Sequence, residues 1–161
     1  MRNQGLYSLL RKQPDAYAII KGSQEYNSIL GKAVFYRTQF GIIVITSVSG
    51  LPEQAQNCAN NIFAIHIHEG EECTGNEKDP FFNTKSHYNP NNCPHPYHAG
   101  DMPPLFATNG NALSAYLTNS YTIEEIAGKT IVIHKNPDDF KTQPSGNSGT
   151  KIACGKIIRL R

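Results

Sequence analysis

The stretch that decides the fold is Ile62-Phe63-Ala64-Ile65-His66-Ile67-His68 (IFAIHIH). β-branched and aromatic residues fill most of its apolar positions, which suits a pleated, half-buried strand. Because residues two apart in a strand point to the same face, the imidazoles of His66 and His68 are expected to lie side by side. Two such imidazoles can reach one metal ion, and the alternative is a pair of ordinary polar residues on a solvent-exposed face.

Similar short apolar stretches lie on both sides of this strand, and turn-forming residues separate them. Asn, Gly and Pro together make up 38 of the 161 residues. Many short strands joined by turns are typical of an antiparallel sandwich or barrel, so we predict an all-β fold. One short helix is predicted at residues 122–127, where Thr122 and Glu125 form a capping-box pattern. The strands are predicted at residues 16–21, 32–37, 40–48, 62–68, 112–117, 131–134 and 152–160.

Length and charge narrow the classes of function. A chain of 161 residues is about the size of one domain, so we predict a single domain over residues 1–161. The formal net charge is only +2, without a basic stripe, so no nucleic-acid partner is predicted. No apolar run approaches the ~20 residues of a membrane-spanning helix, so no membrane association is predicted. The first residues lack the apolar run of a secretory signal, and we therefore expect a cytoplasmic protein.

Residues 69–111 interrupt the pattern of strands. Seventeen of these 43 residues are Gly, Pro or Asn. Loops longer than about 12–15 residues in a compact domain are usually functional or disordered. This one holds His87, His95, His98 and Asp101, so we predict a functional loop that a bound group organises. A second irregular stretch covers residues 135–151.

Imidazole and carboxylate side chains of this kind suit a zinc ion. His98 and Asp101 can close on one ion from a tight turn, and Gly100 would allow the backbone to bend there. The alternative is a His-rich polar loop without function, which predicts histidines scattered elsewhere in the chain as well. Outside the strand at 62–68 and this loop, however, the only histidine is His134, at the end of an apolar strand. We therefore favour a metal site.

The cysteines leave their pairing open. Cys58, Cys73, Cys93 and Cys154 allow three pairings, and the residues alone do not choose among them. No two of them have C-x-x-C spacing, so neither a zinc knuckle nor a thioredoxin-type motif is present. In a reducing compartment, thiols are more often free or metal-bound than bridged.

Four segments of the chain, taken together, resemble the copper/zinc superoxide dismutase family. They are FAIHIHEGEECTG, HYNPNNCPHPYHAGD, IVIHKNPDD and GNSGTKIACGKI, and they match the family in order and nearly in spacing. The resemblance covers roughly residues 14–158, which leaves residues 1–13 as an N-terminal extension. It implies a Greek-key β-barrel or sandwich of about eight antiparallel strands with two long functional loops.

The resemblance also implies one copper ion and one zinc ion. Asp138 matches the carboxylate that holds one copper-ligand histidine and one zinc-ligand histidine in place. An all-imidazole site suits copper, and a site of imidazoles and a carboxylate suits zinc. The implied copper ligands are His66, His68, His87 and His134, and the implied zinc ligands are His87, His95, His98 and Asp101, so that His87 bridges the two metals.

The disulfide and the anion-guiding charge follow from the same resemblance. Cys154 matches one half of the family's intrachain disulfide, and Cys73 is the implied partner, with Cys93 as a competitor. Cys58 has no counterpart, and a small buried apolar residue is the plain interpretation of it. Lys151 takes the position of an arginine that guides the anionic substrate to copper, so the positive charge is kept without arginine's planar guanidinium.

Other departures from the family concern the channel and not the ligands. Lys85 and Ser86 replace a pair of glycines before His87, and Ala64 replaces a glycine before His66. The stretch at residues 135–150 is also shorter than in many relatives.

The activity implied is the disproportionation of superoxide to oxygen and hydrogen peroxide, with copper cycling between Cu(II) and Cu(I). His87 would carry a proton between the two half-reactions, and Lys151 would supply positive potential. The alternatives are a copper carrier or metal buffer without turnover, which the presence of all four copper ligands disfavours, and a purely zinc-structural domain. Relatives are often dimers, so a homodimer is the candidate assembly.

Overall fold

The computed structural model describes residues 11–53 and 61–160. Nine strands, one short α-helix and one 3₁₀ turn at Phe82–Thr84 occur in these ranges. Cys58 lies outside the described residues. The strands are β1 (Ala16–Gly22), β2 (Leu30–Thr38), β3 (Gly41–Ser49), β4 (Asn61–Phe63), β5 (Ile65–His68), β6 (Leu105–Thr108), β7 (Asn111–Thr118), β8 (Thr130–His134) and β9 (Lys151–Arg159), and the helix α1 is Ile123–Ile126.

All strand pairs are antiparallel, in the order β4-β6-β7-β3-β2-β1-β9-β8-β5. The two outermost strands of this order, β4 and β5, are consecutive in the chain and separated only by Ala64. The stretch at 62–68 therefore pairs with β6 through its first half and with β8 through its second half. This arrangement nearly closes the sheet into a barrel, which confirms the predicted all-β antiparallel fold.

One strand was not predicted, because β6 lies inside the stretch 69–111 that the sequence assigns to a loop. Leu105 and Ala107 are buried in the core while Phe106 faces outward, which is ordinary strand alternation. The segment is too short for its pattern to stand out after two prolines. The Asn109-Gly110 turn that follows, with both residues at positive φ, is the usual two-residue hairpin connection. The long loop therefore ends at residue 104.

The core fills the inside of the barrel. Phe35, Phe63, Ile65 and Ile67 are fully buried there, together with inward residues of the other strands. All five residues of β8 are buried, because its outer face is covered as well. A small cluster on that face joins Val132 and Cys154 to Phe81 and Cys73, whose segments belong to the long loop.

Helix α1 begins with the predicted capping box. The Thr122 hydroxyl accepts a hydrogen bond from the Glu125 backbone N–H, and the Glu125 carboxylate accepts one from the Thr122 backbone N–H. Ile123 and Ile126 bury their side chains in the core. Across the described ranges, no helix has the length and apolar character needed to cross a bilayer.

Candidate metal centre

The predicted histidines meet at one side of the barrel in two clusters. The first consists of His66 and His68 from β5, His134 from the end of β8, and His87 from the long loop. One candidate ligand atom from each lies within 4.8 Å of the others, and all four residues are buried. A backbone bridge between His68 and His87 holds the loop against β5.

The second cluster brings together His87, His95, His98 and Asp101, again with ligand atoms within 4.8 Å of one another. The Asp101 carboxylate lies 2.8 Å from His87 Nδ1 and 3.1 Å from His95 Nδ1. It also accepts a hydrogen bond of 3.0 Å from the backbone N–H of His98. His87 thus belongs to both clusters, as predicted.

The hydrogen bonds of the first cluster fix which ring nitrogens are free. His66 Nε2 donates to an Asp138 carboxylate oxygen at 2.8 Å, and His68 Nδ1 donates to the Lys85 carbonyl at 2.9 Å. His134 Nδ1 lies 3.3 Å from the Gly149 carbonyl. Because carboxylates and carbonyls only accept, each of these nitrogens carries its ring's proton. The opposite nitrogen of each ring therefore offers a lone pair to the cluster.

Those lone pairs face one another without a proton donor between them. His68 Nε2 and His134 Nε2 are 3.1 Å apart. His66 Nδ1 and His87 Nε2 are buried and have no hydrogen-bond partner within the described residues. Buried polar atoms without partners are costly, and a cation would satisfy all four nitrogens at once. The donor set therefore fits copper in the all-imidazole cluster and zinc in the cluster with the carboxylate.

Asp138 connects the two clusters. Its oxygens accept hydrogen bonds of 2.8 Å from His66 Nε2 and 2.8 Å from His95 Nε2. Burial alone would raise the pKa of this carboxyl, but the hydrogen bonds from His66, His95 and the Phe140 backbone N–H hold its pKa well below the usual range. An ionised carboxylate that orients one imidazole of each cluster is what the resemblance implied for this residue.

The pKa values of four of the imidazoles are lowered, which favours the neutral form that binds metals. Burial lowers the pKa of His66 to about 4 despite its hydrogen bond to Asp138. Burial and the neighbouring imidazoles lower the pKa values of His68 and His134 well below the ordinary value. Burial lowers the pKa of His98 in the second cluster too.

Two glycines allow close backbone approaches around the clusters. A Cβ on Gly100 would lie 2.2 Å from the Ile67 carbonyl oxygen, so this glycine is needed for packing of the loop on β5 and not only for the bend that its position predicted. Gly146 has a φ of +65°, and a Cβ there would lie 2.0 Å from Asp138 Oδ1 and 2.6 Å from His95 Nε2. The stretch at 135–151 therefore closes directly over the Asp138 hydrogen bonds.

Gln143, which the sequence pattern did not single out, fixes the backbone of His95. Its side-chain amide accepts from the His95 backbone N–H at 2.9 Å and donates to the His95 carbonyl at 2.7 Å. Residue spacing alone carries no signal for this contact, because the two residues lie in different loops. The clamp joins the two irregular stretches that the sequence predicted as loops.

The predicted disulfide between Cys73 and Cys154 is confirmed, with a Cα–Cα distance of 5.6 Å. It ties the beginning of the long loop to β9. Cys93, the competing candidate, is a free cysteine whose backbone N–H and carbonyl are hydrogen-bonded by the Asn89 side chain.

A cavity opens on the first cluster. Its charged lining residues are Glu69, Lys85 and Lys151, beside His68, His87, His98 and His134. Lys151, which is predicted to guide the anion, is one of these lining residues, and its ammonium lies 2.9 Å from an Asp79 carboxylate oxygen.

Lys85 has an unusual backbone conformation, with φ 60° and ψ −144°. A residue with a side chain in this glycine-favouring region costs on the order of 1–3 kcal/mol of conformational strain. The resemblance implies a glycine at this position, and this chain has a lysine there although the backbone conformation favours glycine.

Comparison with known proteins points to one family. The family described as copper/zinc superoxide dismutase (SODC) matches residues 29–157. Superoxide dismutase [Cu-Zn] 2 of Aquifex aeolicus is 33% identical over 80% of this chain and 79% of its own length, and superoxide dismutase [Cu-Zn] of Legionella pneumophila is 30% identical over 80% of this chain and 77% of its own length.

Solved structures give the same fold. A SOD-like protein from Bacillus subtilis, in a double-mutant form, superposes with a TM-score of 0.72 at 25% identity over 88% of this chain and 96% of its own. The Cu/Zn superoxide dismutase from Brucella abortus superposes with a TM-score of 0.72 at 21% identity over 88% of this chain and 98% of its own. The matched segment, the curated relatives and the two histidine clusters that share His87 agree. The chain therefore belongs to the copper/zinc superoxide dismutase family.

Proposed function

We propose that this protein is a superoxide dismutase that converts two superoxide ions and two protons to oxygen and hydrogen peroxide. The observation that carries the proposal is His87, a single buried imidazole that directs Nε2 to one cluster and Nδ1 to the other. Copper, when bound, supplies the one-electron oxidation and reduction of superoxide. Zinc, when bound, would fix the orientation of the shared ring.

The histidines of the first cluster have two proposed roles, which are to hold copper and to carry a proton. His66, His68 and His134 would hold copper, and their outer nitrogens are fixed by protein acceptors, so the rings are oriented in advance. His87 Nε2 has no hydrogen-bond partner in the described part of the chain, so it can hold a proton in one half-reaction and deliver it in the other.

The zinc cluster has a supporting role in this proposal. His95, His98 and Asp101 would complete it around His87 Nδ1. Asp138 would keep both clusters in register, because it bonds to one ring of each. The cavity over the first cluster gives a small anion access to it.

The test is the decay of superoxide in stopped flow with protein loaded with copper and zinc, compared with zinc-only protein. Turnover only in the copper-loaded protein supports the enzyme, and decay no faster than with zinc-only protein supports a metal carrier or a zinc-structural domain. The variant His134→Ala should lose activity and keep zinc, because His134 belongs only to the first cluster. Loss of zinc from that variant would show that the two sites are assigned wrongly.

We propose further that the candidate homodimer forms through the outer face of β4, β6, β7 and β3, four neighbouring strands without a charged residue. Phe106, Leu113 and Leu117 are 60%, 75% and 52% exposed on these strands. Interface cores are depleted of charge, and a two-fold contact here would oppose no like charges. Sedimentation tests this: Leu113→Glu should yield monomers, and Phe40→Glu, at an exposed turn outside the face, should not. A monomeric parent protein would contradict the proposal.

The cytoplasmic location stays a prediction of the sequence. The disulfide bears on it, because disulfides are rare in reducing compartments. Fractionation of the host with an antibody to this chain tests the prediction, and recovery of the protein in an exported fraction would contradict it.

A further inference from the structure

The positive charge of Lys151 is largely cancelled at the cavity. Its ammonium lies 2.9 Å from Asp79 Oδ2 and donates to the Phe81 carbonyl at 3.1 Å. The Lys151 side chain is only 15% exposed, so its ammonium is held in place. An ion pair attracts a distant anion far less than a lone cation does, because the two fields oppose each other. The pair also holds the segment at residues 79–81 against the beginning of β9.

Lys85 lines the same cavity without such a partner. Among the described residues, no carboxylate lies within 4.0 Å of its ammonium, and the residue is exposed. The backbone of Lys85 is held beside the cluster, because its carbonyl accepts the hydrogen bond from His68 Nδ1. Lys85 is also two residues from His87, so two of the four histidines that line the cavity, His68 and His87, lie next to it in space or in the chain.

The backbone of Lys85 gives independent support. Its φ of 60° and ψ of −144° favour glycine, yet the position carries a long cationic side chain. Strained residues are concentrated at functional sites, where the surrounding structure enforces them. The strain therefore marks Lys85 as a candidate functional residue.

We propose that Lys85, and not Lys151, is the residue that draws anionic substrate to the first histidine cluster, and that the Lys151–Asp79 pair is structural. The assignment rests on the proposed function only for the identity of the anion. Glu69 lines the same cavity and opposes Lys85, so the two side chains set the local potential between them.

The test uses sodium azide, a small monoanion, titrated into the copper- and zinc-loaded protein at low salt and followed by its absorbance with copper. Lys85→Gln should weaken azide binding about threefold, a part of the ~10- to ~1000-fold that a whole charge field supplies. Lys85→Gly should show the same loss although its backbone is relaxed, which separates charge from folding. The matched control Lys156→Gln removes an exposed lysine outside the cavity and should change binding by less than about 1.5-fold.

Two further variants complete the design. Glu69→Gln should tighten azide binding about threefold, and the double variant Asp79→Asn/Lys151→Gln should leave it nearly unchanged, because it removes a pair with no net charge. Unchanged azide binding in Lys85→Gln and Lys85→Gly, or a threefold loss in the double variant, would overturn the assignment. Superoxide decay in the same samples distinguishes the two proposals. If the Lys85 variants lose azide affinity but the parent protein does not turn over superoxide, only the dismutase activity is refuted.

Discussion

Replacing Asp138 by asparagine should weaken copper binding much more than zinc binding. The asymmetry follows from how the two carboxylate oxygens are used. Oδ1 accepts from both the Phe140 backbone N–H at 2.7 Å and His95 Nε2 at 2.8 Å, whereas the one donor to Oδ2 among the described residues is His66 Nε2. The single amide oxygen of asparagine should take the position with two donors. Its NH₂ group then faces His66.

That placement blocks a copper ligand. Two donors cannot pair, so His66 must move its proton from Nε2 to Nδ1, the nitrogen that faces the first cluster. A hydrogen bond to a charged group contributes about 1.5–3 kcal/mol, and 1.4 kcal/mol is a factor of ten in affinity. We therefore expect copper affinity to fall about 10- to 100-fold, the usual range for a lost partner of a ligand histidine. Zinc affinity should fall less than about fivefold, because His95 keeps its acceptor.

The assay is a competition titration of copper against a chromophoric chelator with zinc present, and a matching titration of the zinc site with cobalt, whose visible spectrum reports its ligands. Asp139→Asn is the control for loosening of the loop, because Asp139 is an exposed neighbour whose carboxylate accepts hydrogen bonds from Lys141 and Thr142 and from neither metal cluster. Asp139→Asn should leave both affinities within about twofold. Equal losses for both metals, or a larger loss for zinc, would refute the proposed use of the two oxygens.

Three other changes have expected outcomes. Gly146→Ala places a methyl group against Asp138 Oδ1 and His95 Nε2, so it should lower zinc affinity more than copper affinity, the opposite of Asp138→Asn. The cobalt titration should show a loss of at least tenfold in affinity at the zinc site. Gln143→Ala removes both hydrogen bonds to the His95 backbone. It should lower zinc affinity several-fold in the same titration and leave copper affinity little changed. Cys154→Ser opens a bridge that spans 81 residues, so denaturant titration should show a loss of about 4.5 kcal/mol of unfolding free energy.

Local sequence patterns located most of the barrel. The predicted strands at 16–21, 32–37, 40–48, 112–117, 131–134 and 152–160 each match an observed strand to within two residues at either end. Alternation and β-branched residues report the burial of one face, and burial is what fixes a strand in a sheet. The stretch at 62–68 was predicted as one strand, but the structure divides it at Ala64, where pairing passes from β6 to β8. Nothing in its own residues signals a change of partner.

The metal ligands were accessible to sequence reasoning because residue type and short spacing carry their chemistry. His66 and His68 share a strand face, and His98 and Asp101 share a turn. The supporting contacts were not accessible, because they join residues that only the fold brings together. Gln143 reaches His95 across 48 residues, and Asp79 reaches Lys151 across 72. Neither contact has a pattern in the sequence that distinguishes it from ordinary surface polarity.

The order of the metal loops therefore depends on contacts between loops as much as on the metals. The disulfide holds the long loop to β9 at one end, the Lys151–Asp79 pair holds it eight residues before His87, and Gln143 holds it at His95. None of these attachments involves the histidine ring nitrogens that face the clusters, so those nitrogens stay free to bind metal. Preorganised ligands lose less conformational entropy on binding, so the clusters should keep their geometry before the ions arrive. In that case the ions bind a site that is already assembled, and affinity is set mainly by the hydrogen bonds that hold each ring's outer nitrogen, above all those to Asp138.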